Sequence, residues 1–261
     1  MHEQAARARG VRYHYHLIEV AGAGCEQLRA LLDGVRRLGF AGVNVTFPYK
    51  EAVVDLLDEL SPDAAAIGAV NTVVVRNDQL IGYNTDTTGF ARAVSHLVEG
   101  AGQGAVALIG AGGVGKAIAF ALARLQVAEI RIFDAERTKA DHLALALRPH
   151  GNAVVVNDVE DAVRGAVGVV NATPVGMLPS RGTPVPDTLL HQGLWVADAV
   201  YFPLLTPLLT AAKARGARIM TGREFAIYQA AEAFELFTGL SPSTAEMGNA
   251  FDGVIGKLHT A

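Results

Sequence analysis

The sequence predicts an α/β protein made of two consecutive α/β units, of which the second is a doubly wound parallel sheet. Short β-rich runs alternate with amphipathic helical stretches along the whole chain. From residue 104 onward the strand-like runs are continuously apolar, as in AVALIGA at 105–111. Strands of this kind are buried on both faces, and helices packed on both sides of a parallel sheet bury them in that way. The Gly-Gln-Gly segment at 102–104 is predicted to be a hinge between the units.

In the first half, residues 2–9 read as the first turns of a helix, and 25–38 place leucines and valines at helical spacing. A shorter helix is predicted near 50–57, and another begins near Thr87. The predicted strands are 12–20 and 42–47, together with a hairpin over 70–83 that has Asn77-Asp78 at its tip.

In the second half, strands and helices alternate regularly, which is the pattern of β-α-β units. The predicted strands are 105–111, 129–134, 153–158, 167–173, 194–201 and 217–220. The clearest predicted helices are 113–125, 138–147 and 223–238.

Composition excludes several classes of protein. Hydrophobic residues make up 51% and charged residues 18%, and the net charge is −4 without a basic stripe, so nucleic acid is not an expected partner. No apolar run approaches the roughly 18–20 residues of a membrane span. The start of the chain lacks the apolar stretch of a signal peptide, and the single Cys25 fits a reducing compartment. We therefore expect a cytoplasmic protein.

The eight histidines are scattered and form no metal-binding motif. His14 and His16 would share one face of the predicted strand and could in principle hold an ion. The favoured interpretation is that they are two polar residues on the solvent side of a strand, so no metal site is predicted.

The string Gly110-Ala111-Gly112-Gly113-Val114-Gly115 matches G-x-G-x-x-G. It follows a buried strand and opens a helix, which is the context that the dinucleotide-binding turn requires. The first glycine allows the tight turn, the second allows the backbone to approach a pyrophosphate, and the third allows helix and strand to pack closely. A purely structural turn is the alternative.

Asp134 ends the next predicted strand, where a carboxylate accepts hydrogen bonds from the adenosine ribose and repels a 2′-phosphate. NAD is therefore favoured, although Arg137 and Lys139 lie close enough in sequence to leave NADP possible. The alternative role for Asp134 is to cap the helix that follows.

Two strings in the first half carry reactive polar groups. NVTFPYK ends a strand and places Thr46 and Lys50 near its carboxyl end, while NTDTTG brings Asp86 to the start of a helix. A lysine and an aspartate beside a nicotinamide would form an acid–base pair. Each residue also has an ordinary explanation, Lys50 as a solvated helix residue and Asp86 as an N-cap.

Six strings in this order, NVTFPYK, GAVNTVV, NTDTTGF, GAGGVGKA, NATPVGM and ADAVYFP, resemble the shikimate dehydrogenase family. They span nearly the whole chain and are most similar to its quinate/shikimate branch. The resemblance implies a substrate-binding domain over 1–101, completed by C-terminal helices at 223–261. It also implies a Rossmann-type dinucleotide-binding domain over 102–222.

The resemblance also implies roles for individual residues. Lys50 and Asp86 match the catalytic pair. Residues on the substrate side are matched by Thr46, Asn71, Tyr201 and Gln229. The cofactor-side positions, beyond the glycine-rich turn and Asp134, are matched by Asn171, Thr173, Met177 and Gly222.

The implied activity is reversible hydride transfer between NAD(P) and a ring hydroxyl of a small cyclic hydroxy acid, shikimate or quinate, within aromatic amino acid biosynthesis. A related amino-shikimate substrate stays open. The implied protein is a monomer or a homodimer. The rival hypothesis is a dinucleotide-binding sensor without catalysis, which would not need both Lys50 and Asp86.

The chain departs from the family pattern at two places. NADP-preferring members carry Asn-Arg-Thr where this chain has Asp134-Ala135, which again favours NAD. The chain also begins at Met1-His2, without the Ser-x-Ser/Thr string that holds the substrate carboxylate in the family. We therefore expect the natural product to start upstream by about 15–25 residues, the length of a strand and its turn, and the 261-residue chain to bind substrate poorly.

Overall fold

The computed structural model describes residues 1–20, 22–100 and 104–258, so the hinge predicted at 102–104 lies outside the described residues except for Gly104. The chain divides into two compact units. The first unit comprises Met1–Thr85 and Ile227–Ala261, and the second comprises Asp86–Ala226. The predicted domain bounds of 1–101 and 102–222 stay a prediction.

The first unit contains a small mixed sheet in the order β1-β3-β4-β2. The antiparallel pairs are β1 with β3 and β3 with β4, whereas β2 pairs parallel to β4. The strands are β1 (Gly42–Asn44), β2 (Glu59–Leu60), β3 (Thr72–Arg76) and β4 (Gln79–Tyr83). The helices that lie within its first segment are α1 (His2–Ala8), α2 (Cys25–Arg37) and α3 (Pro62–Ile67).

The hairpin predicted over 70–83 is formed by β3 and β4. Asn77 and Asp78 adopt φ values of 50° and 63°, the left-handed conformation that both central residues of a type I′ turn require. Helix α2 packs Leu28 and Leu32 onto this sheet. Leu31 and Leu38, which share the predicted helical spacing, are exposed instead.

Residues 12–20 do not form the predicted strand. They have no regular secondary structure and take part in no β-ladder. The contacts of Tyr15 are with side chains, because its N–H donates to Glu3 Oε1 (3.1 Å) and its hydroxyl donates to Asn44 Oδ1 (3.0 Å). An alternating sequence becomes a strand only where a neighbouring strand supplies hydrogen-bonding partners.

Two other predictions for the first unit were too long. The strand predicted over 42–47 ends at Asn44, and the Val45 N–H then donates to the Asn71 carbonyl (2.8 Å). The helix predicted over 50–57 is a set of turns followed by a 3₁₀ helix at Val54–Leu56.

The second unit is a six-stranded sheet in the order β10-β9-β8-β5-β6-β7, with every neighbouring pair parallel. The strands are β5 (Ala105–Ile109), β6 (Glu129–Phe133), β7 (Ala153–Val155), β8 (Gly168–Asn171), β9 (Trp195–Asp198) and β10 (Arg218–Met220). The strand order reverses direction between β5 and β8, so the predicted doubly wound sheet is confirmed.

The helices of the second unit follow its strands in alternation, α5 (Gly113–Arg124), α6 (Arg137–Leu147), α7 (Val159–Val163) and α8 (Pro207–Ala214). Helix α4 (Thr85–Glu99) precedes β5, and α9 (Gly222–Thr238) and α10 (Thr244–Leu258) follow β10. The division between the units falls at the first residue of α4 and within α9. No helix in the described part of the chain is long and apolar enough to span a bilayer.

The parallel sheet is buried on both faces, as its apolar strands predict. Leu108, Ile132, Val170 and Val196 are fully inaccessible to solvent. Packing is close enough at Gly168 that an added Cβ would lie 2.1 Å from Trp195 Cε2, so this position of β8 has no room for a side chain.

A carboxylate is buried at the end of β9 in the second unit. Asp198 ends β9 with no exposed surface, and its Oδ2 accepts a hydrogen bond from Thr206 Oγ1 (2.7 Å). Burial raises the pKa of Asp198 to about 6 from the ordinary 3.8, against the opposing effect of its hydrogen bonds. The charged form is therefore less favoured in the folded protein than in the unfolded chain.

This raised pKa predicts how stability depends on pH. Because the Asp198 pKa is higher in the folded than in the unfolded chain, its contribution to stability is greatest in acid and is lost as pH rises through about 6. Asp198→Asn removes the titration. On going from about pH 8 to about pH 5, we expect wild type to gain about 1 kcal/mol in free energy of unfolding relative to the variant. Denaturant titrations of both proteins across this range measure the difference, and a pH-independent difference would contradict the assignment.

Candidate active site

The glycine-rich turn connects β5 to α5 and is shaped by two close approaches. Gly110 has φ +106°, and a Cβ on it would lie 2.9 Å from the Ala172 carbonyl carbon. A Cβ on Gly115 would lie 2.1 Å from the Gly110 oxygen. These two glycines therefore let the first turn of α5 pack directly against the end of β5 and the loop after β8.

Gly112 differs from its neighbours in the turn. Nothing lies within 4 Å of the position that its Cβ would occupy, so protein packing does not explain the glycine. Gly112 is also the N-cap of α5, which has no side-chain cap and no acidic residue in its first turn. The free N–H groups and the positive end of the helix dipole at this point favour an anion.

Asp134 follows β6 and contacts the same turn. Its Oδ2 accepts a hydrogen bond from the Ala111 N–H (2.7 Å), and its Oδ1 accepts one from the Glu136 N–H (2.8 Å). The N-cap of α6 is Glu136, so Asp134 supports the turn before that helix and is not its N-cap. The carboxylate thus ties the end of β6 to the glycine-rich turn.

The two cations considered for a 2′-phosphate are both engaged on α6. Lys139 Nζ lies 2.7 Å from Glu136 Oε2, and this hydrogen-bonded pairing lowers the Glu136 pKa. Arg137 lies 3.7 Å from Asp141 Oδ2. A phosphate at this end of the sheet would have to compete with these carboxylates.

The predicted residues at the ends of β8 and β9 form a second group. Asn171 is fully buried, and its Oδ1 accepts hydrogen bonds from the N–H and the hydroxyl of Thr173 (3.0 and 2.7 Å). Met177 and Tyr201 are about half exposed, at 46% and 53%. Gly222 packs against the chain beside Tyr201, because a Cβ on it would lie 2.5 Å from the Val200 oxygen.

In the first unit, the buried Asn71 has a fixed carboxamide. Its Oδ1 accepts hydrogen bonds from the Thr85 N–H (2.8 Å) and from Thr72 Oγ1 (3.0 Å), while its Nδ2 donates to Thr85 Oγ1 (2.9 Å). These contacts orient the amide group, because only one arrangement of oxygen and nitrogen satisfies both the N–H donor and the hydroxyl acceptor.

Lys50 and Thr46 lie on the segment next to Asn71. The Val70 N–H donates to the Lys50 carbonyl (2.8 Å), and the Val45 N–H donates to the Asn71 carbonyl (2.8 Å). Residues 45–50 therefore bracket the 70–71 segment, with Thr46 exposed and Lys50 half-buried.

The other two predicted residues lie on helices that cross the division between the units. Asp86, buried and in the first turn of α4, is the first residue of the second unit. Gln229 is half-buried on the part of α9 that belongs to the first unit.

Sequence reasoning missed the side chains that support these groups. Asn44 links Tyr15 to Thr72, since it accepts from the tyrosine hydroxyl (3.0 Å) and donates to Thr72 Oγ1 (2.9 Å). Asp198 and Thr206 support Asn171 in the second unit. The available signal was the position of a polar residue at the carboxyl end of an apolar strand. Among the described residues, no three His, Cys, Asp or Glu side chains are grouped as a metal site.

Comparison with known proteins identifies the family. A family model described as the shikimate dehydrogenase substrate binding domain matches residues 1–73, and one described as the shikimate 5′-dehydrogenase C-terminal domain matches residues 222–250. A shikimate dehydrogenase (NADP(+)) from Streptomyces avermitilis is 42% identical over 254 residues, which cover 95% of this chain and 87% of the relative. A quinate/shikimate dehydrogenase (NAD(+)) from Corynebacterium efficiens is 42% identical, with coverage of 96% and 91%.

Solved structures agree. Quinate dehydrogenase from Corynebacterium glutamicum in complex with NAD superposes with a TM-score of 0.85 at 39% identity and covers 97% of this chain and 92% of its own. Shikimate 5-dehydrogenase from Thermus thermophilus in complex with NADP(H) and shikimate gives a TM-score of 0.85 at 36% identity, with the same coverage. Relatives at these identities cover almost the whole chain, and the chain therefore belongs to the shikimate dehydrogenase family.

Proposed function

We propose that the chain is an NAD-dependent dehydrogenase that oxidises one ring hydroxyl of shikimate or quinate and reduces the corresponding ketone. The observation that carries the proposal is that two features occur together in a chain of this family. One is an open, uncapped glycine-rich turn at the end of β5. The other is the position of Lys50 on the segment that brackets the oriented Asn71 in the first unit.

In this proposal the bound nicotinamide supplies the hydride acceptor or donor. Lys50 accepts the proton that the substrate hydroxyl loses as the carbonyl forms, and returns it in the reverse direction. Its positive charge also stabilises the developing alkoxide. Asp86 is the second member of the proposed catalytic pair.

The substrate is held by polar groups on both sides of the ring. Asn71, whose carboxamide is oriented by Thr85 and Thr72, binds a ring hydroxyl. Thr46 and Gln229 bind further hydroxyls or the carboxylate, and Tyr201 contacts the carboxylate side.

The cofactor lies across the carboxyl ends of the parallel strands, with its pyrophosphate at the N-terminus of α5. Asp134 receives the adenosine ribose, and Asn171, Thr173, Met177 and Gly222 lie beside the nicotinamide. NAD is preferred over NADP because the Asp134 carboxylate would repel a 2′-phosphate and the cations of α6 are already paired.

The direct test is an assay of the purified chain with shikimate and with quinate, each in the presence of NAD or NADP. The reaction is monitored by the absorbance of the NADH or NADPH that forms. The proposal expects turnover with NAD at a kcat/KM above that with NADP. Binding of NAD without turnover on either acid would instead favour a sensor, and turnover confined to an amino analogue would reassign the substrate.

Lys50→Ala tests the proton-transfer role. We expect kcat to fall roughly 10²–10⁴-fold, since a positioned acid–base group contributes that much to the rate. The Kd for NAD should change little. Lys213→Ala is the matched control, because Lys213 is an exposed lysine in the last turn of α8. Wild-type kcat in Lys50→Ala would rule out this role.

Asp134→Ala tests cofactor selection. The carboxylate also supports the Ala111 N–H, so its loss should loosen the glycine-rich turn for both cofactors. The informative quantity is therefore the ratio of kcat/KM with NAD to that with NADP, which we expect to fall as the repulsion of the 2′-phosphate is removed. The control is Asp158→Ala, which removes an exposed helix cap on α7. An unchanged ratio would leave Asp134 as a support of the turn only.

A further inference from the structure

Asp198 is a buried carboxylate that the proposed chemistry does not use. It has no exposed surface, and no ion pair involves it in the part of the chain that the structure describes. Its hydrogen-bond donors are neutral. A charge without a counter-ion is costly to bury, so a carboxylate at this position needs an explanation other than stability.

One set of contacts leads from Asp198 to the loop after β8. The Oδ1 atom accepts a hydrogen bond from Asn171 Nδ2 (2.9 Å). The same Nδ2 donates to the Val175 carbonyl (3.0 Å), and the Asn171 oxygen accepts from the Thr173 N–H and hydroxyl. Asp198 therefore fixes the rotamer of the side chain that shapes residues 173–175.

A second set of contacts leads to the chain that follows β9. The Asp198 Oδ1 also accepts from the Val200 N–H (2.9 Å), and the Val200 oxygen is the atom against which Gly222 packs. The Oδ2 atom accepts from Thr206 Oγ1 (2.7 Å), which in turn accepts from the Leu209 N–H (3.2 Å) at the start of α8. One side chain thus holds two loops and a helix start.

The hydrogen-bond partners of Asp198 all donate to its carboxyl oxygens. Two N–H donors converge on Oδ1, and a hydroxyl already committed as acceptor donates to Oδ2. A carboxylate accepts hydrogen bonds from all three donors. An asparagine could accept from the two N–H donors, but its NH₂ group would then face Thr206 Oγ1, and the direction of that hydrogen bond would have to reverse.

We propose that Asp198 is a positioning residue that sets the geometry of the nicotinamide end of the cofactor site. This inference rests on the cofactor placement proposed above, in which the cofactor extends from Asp134 at β6 across the switch point to the ends of β8 and β9. The loops that Asp198 holds follow β8 and β9, so they lie only at the nicotinamide end of this proposed site. Its loss should therefore misplace the nicotinamide and leave the adenosine half bound as before.

The test compares Asp198→Ala with wild type in three measurements: kcat, the Kd for NAD and the Kd for ADP-ribose, which lacks the nicotinamide. We expect kcat to fall about 10²-fold, the cost of a misplacement of about 1 Å. The Kd for NAD should rise and the Kd for ADP-ribose should not change. With substrate deuterated at the reacting carbon, the isotope effect on kcat should increase as hydride transfer becomes rate-limiting.

Thr206 supplies a second pair of variants if Asp198→Ala does not fold. Thr206→Val removes the hydrogen bond to Oδ2, whereas Thr206→Ser keeps the hydroxyl. We expect the valine variant to lose kcat in the same direction and the serine variant to recover it. Leu143→Ala controls for destabilisation alone, because Leu143 is buried on α6, and it should lower the melting temperature without changing the isotope effect.

Equal changes in the Kd values for NAD and ADP-ribose, or a wild-type kcat in Asp198→Ala and Thr206→Val, would overturn the inference. These outcomes are distinct from a failure of the proposed function, which would appear as absence of turnover in the wild-type chain. In that case the comparison of NAD with ADP-ribose binding still decides the role of Asp198.

Discussion

The second unit depends on the direct contact between the first turn of α5 and the end of β5. Helix and strand can meet there only because Gly110 and Gly115 have no side chains, and the loop after β8 packs against the same point at Ala172. A central parallel strand is buried on both faces, so its helix must pack closely to exclude water. The same contact leaves the N-terminus of α5 open at Gly112, which is where the fold can accept an anion.

Both units orient a buried asparagine by saturating its oxygen. In the first unit, Asn71 accepts from Thr85 and Thr72, and in the second unit Asn171 accepts twice from Thr173. An amide whose oxygen is occupied can present only N–H donors to anything else. The nitrogens are held as well, since Asn171 Nδ2 donates to Asp198 Oδ1 and Asn71 Nδ2 donates to Thr85 Oγ1.

The sequence predicted those parts of the molecule that depend on local pattern. The hairpin turn at Asn77-Asp78 and the strand, turn and helix around 105–124 follow from residue types and spacing within a short window. Residues 12–20 have the alternation of a strand but no ladder partner, a long-range condition that a local pattern cannot report. Asp198 lies within the predicted strand 194–201, yet its role depends on donors 27 and 8 residues away along the chain. Most of the roles assigned to individual site residues came from the family resemblance and not from physical reasoning.

The discontinuity of the first unit has a consequence for synthesis on the ribosome. Residues at its carboxyl end complete its core, since Phe237 lies where a side chain on Gly42 would be, and Phe234 packs 6.2 Å from the His2 ring. The whole of Asp86–Ala226 is made between these partners. Closing so long a loop is slow, and chains fold as they emerge from the N-terminus. The parallel-sheet unit is therefore the first that can complete its core, and the strands made before it stay partly uncovered until the last helices are translated.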